Sequence, residues 1–269
     1  MLFADDLVLF AESEAKLQLA LKEFDAKCSE ASMRISTSKT EVMVLSRATS
    51  QCTLHVSGVP LKLVEKFKYL GFTFTSEGKL ETEMDARIGK AGAILRELYR
   101  TIVTKKELSS QAKLAVFNSV YIPTLTYGHE LWVMTERMRS RVQGAEMRFL
   151  RRMSGIRRID RVRNSVIRES LNVEPLLLKI EKSQLRWFGH VLRMPQNRIP
   201  QRVFHSMPVG RRPRGRPRKT WRSNVEELCG RIGVSSAEVQ TVAEDRNLWR
   251  SKLSCLQPRP ERIRGHEND

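Results

Sequence analysis

The apolar residues of this chain change their spacing near residue 80, and that change limits the possible folds more than any other feature. Before it they come in short runs: Leu2-Phe3 and Leu7-Val8-Leu9-Phe10 on either side of Asp5-Asp6, then Val42 to Leu45, Thr53 to Val56, and Phe67 to Thr75. Gly58-Val59-Pro60 and Ser76-Glu77-Gly78 punctuate the runs as turns, which predicts strands and hairpins. One helix is expected among them, capped by Ser13, with Leu17, Leu21, Phe24 and Cys28 at helical spacing. Beyond about Leu80 the three-and-four spacing takes over, in Ile88/Ala91/Leu95, Leu114/Phe117/Tyr121 and Val142/Ala145/Phe149/Met153. Pro123 and Gly128 are expected to break the chain between the last two. A further helix is predicted over Leu176 to Phe188, ending near Gly189, and a last one from about Trp221 to Leu253. The class is therefore α+β, with four segments: an α+β part over 1–80, helices over 81–194, a Pro/Gly/Arg-rich linker or extended arm over 195–220, and a helical segment with a frayed tail over 221–269.

Charge narrows the partners. The chain carries +18, and residues 137–222 hold 24 Lys and Arg against 5 Asp and Glu, a local +19 that leaves −1 for the rest. A solvated helix face mixes both signs, so an Arg-rich block with few acids implies a polyanionic partner. RNA or DNA suits it better than a membrane, because no apolar face flanked by Trp and Lys accompanies it and no run reaches the roughly 20 apolar residues of a span. Cys28, Cys52, Cys229 and Cys255 are scattered and form no CxxC pair, which suits free thiols. His190, His205 and His266 lie in the same C-terminal third as two of them, but without close ligand pairs no structural zinc is expected. There is no P-loop, nucleophile elbow or HExxH.

The chemistry centres on Phe3-Ala4-Asp5-Asp6. Two-metal nucleotidyl transfer needs carboxylates that hold two Mg²⁺ ions about 3.5–4 Å apart, and a tight turn between strands holds adjacent acids rigidly. An ordinary Asp-containing turn is the competing reading. Three later stretches bear on the choice. These are Met33-Arg34-Ile35-Ser36-Thr37-Ser38-Lys39-Thr40, Phe67-Lys68-Tyr69-Leu70-Gly71-Phe72, and Tyr121 to Trp132 with its Leu125-Thr126-Tyr127-Gly128-His129-Glu130-Leu131-Trp132 core.

In this order and at these spacings the motifs resemble the reverse transcriptases of non-LTR (LINE-type) retrotransposons, over Phe3 to about Arg250. The resemblance implies a partial palm of β-hairpins and a helix over 1–80, a helical thumb and connection over 81–194, and a C-terminal helical region. It makes Asp5 and Asp6 metal ligands and catalytic residues with Mg²⁺ as cofactor, and Lys39 an aid at the leaving pyrophosphate. Ser36 stands where the family usually has Asn. Tyr69, Leu70 and Gly71 would belong to the primer grip, with Gly71 allowing close backbone approach. Trp132, Trp187 and Phe188 are expected in the core rather than as base-stacking platforms. The family's third carboxylate and its fingers lie before the Asp-Asp hairpin, and four residues precede Asp5 here, so little polymerisation is expected of this polypeptide alone.

Arg211, Arg212, Arg214, Arg216, Arg218 and Lys219 form the basic arm, whose Arg-Gly-Arg-Pro-Arg string resembles an AT-hook that would insert Arg into narrow A·T minor grooves. A linker touching phosphates without sequence preference is the other reading. Two functions remain: a fragment of an RNA-directed DNA polymerase that keeps its hold on template–primer or target DNA, or a non-catalytic basic DNA/RNA-binding protein using the helices and the arm. The 211–219 cluster also suggests a nuclear location, with the cytoplasm as the other option.

Overall fold

A computed structural model describes residues 2–3, 5–45, 52–78, 80–206, 215 and 217–260. The chain divides into two compact units, 1–83 and 84–269.

In the first unit, β1 (Leu2–Phe3) and β2 (Asp6–Leu7) pair antiparallel, Leu2 opposite Leu7 and Phe3 opposite Asp6. The helix α1 (Glu14–Glu30) begins where expected, the Ser13 hydroxyl accepting from Lys16 N. Its Leu21 packs with Val42, Leu54, Val56 and Leu61 in a small core, with Leu17 against the edge. Around that core, β3 (Glu41–Val42) lies parallel to β6 (Lys62–Leu63), and β4 (His55–Val56) pairs with β5 (Val59–Pro60). The amide of Gln18 donates to His55 O and accepts from His55 N, at 2.9 and 2.8 Å, so a side chain completes the edge of β4. The expected turn at Gly58-Val59-Pro60 falls one residue earlier. Ser57 and Gly58 both take positive φ, as a two-residue hairpin loop requires, and Val59-Pro60 forms β5. The longest hairpin is β7 (Lys66–Tyr69) with β8 (Phe72–Thr75).

The second unit is helical. It holds most of α2 (Glu81–Leu98), then α3 (Ser110–Val116), α4 (Ile122–Thr126), α5 (Glu136–Met153), α6 (Asn164–Ser170) and α7 (Leu176–Leu192). There follow α8 (Ile199–His205), α9 (Trp221–Arg231), α10 (Val239–Glu244) and α11 (Arg246–Ser254). Pro123 does not break the chain as its residue type predicts. A π turn over Phe117–Tyr121, closed by Ile122 N to Phe117 O, widens the helix just before it, and α3 runs through into α4. The break comes at Gly128, at φ +74°. Phe117, Tyr121 and Phe149 pack ring to ring at 4.9 to 5.8 Å, with the Tyr121 hydroxyl donating to Ala145 O.

Helix α7 is the hub. It runs on to Leu192, past the end expected at Gly189, because Gly189 is where another element closes in: a Cβ there would sit 2.3 Å from Trp249 Nε1. Leu185, Phe188 and Leu192 pack with Val225, Leu228, Trp249 and Leu253 of α9 and α11. The last segment is three helices rather than one, since Gly233 at φ +68° ends α9 and Asp245 caps α11, accepting from Asn247 N and Leu248 N. Part of the expected arm is also helical: α8 takes residues 199–205, with Pro200 in its first turn.

Candidate nucleic-acid and metal site

Asp5 and Asp6 sit where β1 turns into β2. Asp5 belongs to the two-residue loop, Asp6 is the first residue of β2, and both are exposed. Among the described residues no group of three or more His, Cys, Asp or Glu is placed to hold a metal. Mg²⁺ is commonly held through one or two carboxylates, with waters and substrate phosphates filling the octahedron. Two adjacent exposed carboxylates fit that part of the shell.

Lys39 lies in a separate turn after α1. Ser36 O accepts from Lys39 N, Thr40 N and the Thr40 hydroxyl, the last at 2.8 Å, so the Ser36–Thr40 loop closes on itself. The Lys39 side chain is exposed. Tyr69, Leu70 and Gly71 form the tip of the β7–β8 hairpin. Tyr69 pairs with Phe72, which leaves Leu70 and Gly71 as the loop at φ +48° and +78°. Gly71 is thus the second residue of a tight turn, not a bulge within a strand. A leucine in the left-handed region is uncommon, and this one is 40% exposed.

The segment from Tyr121 to Trp132 forms part of the second unit's core. Trp132 and Phe188 are buried, as expected of core residues, and Trp187 is half-buried. Gln184, fully buried, donates to His129 O and Trp132 O at 2.9 and 2.7 Å and accepts from Asn224 Nδ2, while Trp221 Nε1 donates to Glu130 O. Tyr127 is exposed, with the Arg87 guanidinium 4.5 Å above its ring.

Part of the Arg-rich block, with Arg231 and Arg259 beyond it, is engaged within the protein, which tempers the reading of its charge. Arg168 binds both oxygens of fully buried Glu146, whose Oε1 also accepts from Leu176 N at the start of α7. A carboxylate at a helix N-terminus is favoured by the helix dipole. Buried Glu181 accepts from Arg139, Arg231 and Arg259 at 2.5, 2.6 and 2.9 Å. Burial alone would push Glu181 up, but the hydrogen bonds from Arg231 and Arg139 hold it below the usual carboxylate range. Glu227 shows the same contest, burial opposed by hydrogen bonds from Lys219 and Arg259, and is held down at about 2.

Of the expected arm, Arg211, Arg212, Arg214 and Arg216 lie outside the described residues. Arg218 is exposed, and Lys219 donates to Glu227 at 2.6 Å. The four cysteines are free, and burial pushes Cys229 up to about 12. No described helix is long and apolar enough to cross a membrane. The sequence reading missed one set of basic residues, Lys182, Arg186, His190 and Arg193 of α7 with Arg246 and Arg250 of α11, which line a cleft of about 610 Å³. The four-residue spacing of the first three was the available signal.

Residues 1–74 match the family of reverse transcriptases (RNA-dependent DNA polymerases). A transposon-derived protein of Caenorhabditis elegans is 28% identical over 260 residues, 92% of either chain. Two Drosophila melanogaster proteins match as well. The Pol polyprotein of the type-2 retrotransposable element R2DM is 32% identical over 46% of this chain and 12% of its own length. A protein described as an RNA-directed DNA polymerase from transposon X-element is 24% identical over 80% of this chain and 24% of its own. The chain thus spans nearly all of the first relative and under a quarter of the other two. No solved structure matches.

Proposed function

We propose that this chain, similar to the LINE-type reverse transcriptases, carries the paired metal carboxylates of an RNA-directed DNA polymerase and grips the nucleic acid on which that enzyme works. The observation behind the proposal is the exposed Asp5-Asp6 pair at a hairpin tip, inside the stretch that matches the reverse transcriptase family. In this reading 1–80 is the end of the palm, 81–194 the thumb and connection, 195–220 a basic arm and 221–269 a C-terminal helical segment.

Asp5 and Asp6 would hold Mg²⁺, which supplies charge neutralisation at the reacting phosphate oxygens. Lys39, an exposed cation in a closed loop, serves at the leaving pyrophosphate. The Tyr69-Leu70-Gly71 tip bears on the primer strand, where a turn that holds an exposed leucine at positive φ offers backbone and apolar surface together. Arg211, Arg212, Arg214, Arg216 and Arg218 contact phosphates, with Lys219 joining them only by leaving Glu227, and the 211–219 cluster directs the chain to the nucleus, which a fluorescent fusion with that cluster replaced would test. Two carboxylates without a third acid beside them among the described residues favour binding over extension by this polypeptide alone.

The test is primer extension on an RNA template with Mg²⁺, beside binding to the same template–primer. Binding without extension, unaffected by Asp5→Asn/Asp6→Asn in the absence of Mg²⁺, is the expected result. Extension that the double variant abolishes would show two carboxylates to be enough here, and absence of binding would remove the proposal. A second reading, a non-catalytic basic DNA/RNA-binding protein, draws on the local +19 of residues 137–222. It is favoured if Mg²⁺ leaves template–primer binding unchanged in both the wild-type and the Asn chains.

A further inference from the structure

The cleft between α7 and α11 is lined by Lys182, Arg186, His190, Arg193, Arg246 and Arg250, with Trp249 and Leu253 buried behind them and no acid in the wall. Elsewhere in this unit the buried arginines and several exposed ones are matched with acids: Arg139, Arg231 and Arg259 with Glu181, Arg168 with Glu146, Arg222 with Glu226. In the cleft, Arg186, His190, Arg193, Arg246 and Arg250 have no acidic partner among the described residues, and only Lys182 does, in Glu174. The nearest acids in sequence are committed. Asp245 caps α11 and Glu244 accepts from Gln240.

The arrangement runs against the chain's own stability in three ways. Lys182 and Arg186 on α7, like Arg246 and Arg250 on α11, are cationic pairs at four-residue spacing, where like charges repel. Arg246 opens α11, where the helix dipole disfavours a cation. The Arg193 Nε is buried with no hydrogen-bond partner, and burial together with Arg246 lowers that guanidinium's pKa. The helices are nonetheless locked together there. Gly189 lets the Trp249 ring lie against α7, and Trp249 Nε1 donates to Leu185 O at 3.1 Å.

We infer that the α7–α11 cleft is a binding site for the phosphodiester backbone of a nucleic acid strand, distinct from the Asp5-Asp6 hairpin and from the Arg211–Lys219 arm. An anion there relieves all three costs at once. Lys182 to Arg193 covers about 16 Å at 1.5 Å per residue, room for several phosphates of one strand at about 3.4 Å per charge. Nucleic acid fits better than an anionic lipid surface, because Trp249 and Leu253 are buried and give a bilayer nothing to bury. The cleft deepens the reading given under Proposed function by locating one of its contacts, but it requires neither carboxylate, so the two can fail separately.

The test compares binding of a labelled single-stranded RNA, the same sequence as DNA, and duplex DNA by the wild-type chain and three variants. Arg246→Ala/Arg250→Ala removes two cleft cations and Arg186→Ala/His190→Ala a cation and an imidazole, while Lys105→Ala/Lys106→Ala removes two exposed cations elsewhere. All six side chains are exposed, and thermal melting checks that each variant folds. Each cleft pair is expected to weaken binding roughly tenfold. It is also expected to flatten the slope of log K against log salt by about 0.9 for each duplex phosphate no longer neutralised, or about 0.7 on a single strand. The control pair is expected to stay within about twofold of wild type, in the range of a rim charge screened by salt. Which probes respond distinguishes RNA from DNA as the source of the backbone. Cleft variants that behave like the control, or that lose binding to anionic vesicles and not to the oligonucleotides, would overturn the inference. Asp5→Asn/Asp6→Asn keeps the binding, so failure of the polymerase reading leaves this result intact.

Discussion

At Gly189 a single hydrogen decides whether α11 can dock. Glycine to alanine inside a helix ordinarily stabilises by about 0.5–1 kcal/mol, and Gly144, in α5 with open space where its Cβ would go, is expected to follow that rule. Gly189→Ala has the opposite sign, because the new methyl would meet the Trp249 ring at under 3 Å. An overpacking cost of about 1–3 kcal/mol is expected, read as a fall in denaturant midpoint beside a rise for Gly144→Ala. Leu70 is the converse case. Leu70→Gly is expected to stabilise the first unit by about 1 kcal/mol through release of a left-handed leucine, and to weaken template–primer binding if the tip touches the strand. Sequence pattern places both residues but explains neither. Taken alone, the aromatic run around Gly71 reads as a strand with a glycine bulge, and only the pairing of Tyr69 with Phe72 shows the turn of a hairpin. Gly189 reads as a helix end because glycine usually is one, and its partner lies 60 residues away in sequence.

At the level of elements, the start of α7 depends on a residue of α5. Glu146 is fully buried, binds Arg168 through both oxygens and accepts from Leu176 N, so one carboxylate joins α5, α6 and α7. Glu146→Ala would take from the buried Arg168 guanidinium the carboxylate that binds it through both oxygens, and from a helix N-terminus its acceptor. Breaking one side of a buried pair costs about 3–5 kcal/mol. Glu146→Ala/Arg168→Met, which removes both charges, is expected to recover much of that in a chemical denaturation series, and equal loss in the single and double variants would contradict this account of the pair. Ser13 as a cap and the helical periodicities are legible in sequence because they are local. Pro123 misleads for a physical reason: the preceding π turn absorbs the missing donor, and nothing in the residue types around it announces a π turn.

For the whole molecule, composition shows an excess of positive charge without showing where it is used. Counting alone treats all 24 Lys and Arg of 137–222 as available, whereas the structure commits Arg139, Arg168 and Lys219 to acids and leaves Arg186 and Arg193 without them among the described residues. The Glu181–Glu227 network has its own pH signature. Both carboxylates are depressed in the folded protein, Glu227 to about 2 against an ordinary 4.5, so their contribution is present above the unfolded value and is lost as pH falls from about 4.5 toward about 2. Thermal midpoints are expected to decline through that interval, and Glu227→Gln is expected to make the decline shallower. The Asp5-Asp6 motif was legible because adjacent acids between apolar runs form a local pattern, and the resemblance in order along the chain did the rest. The α7–α11 cleft was not, since it takes a packed Trp249 to bring two basic helix faces together. The most direct test of the central claim is equilibrium binding of a template–primer across a salt series, with and without Mg²⁺. The account predicts a steep linear fall of log K with log salt, and a Mg²⁺-dependent strengthening that Asp5→Asn/Asp6→Asn removes. Binding that is flat in salt, or equally responsive to Mg²⁺ after both substitutions, would contradict it.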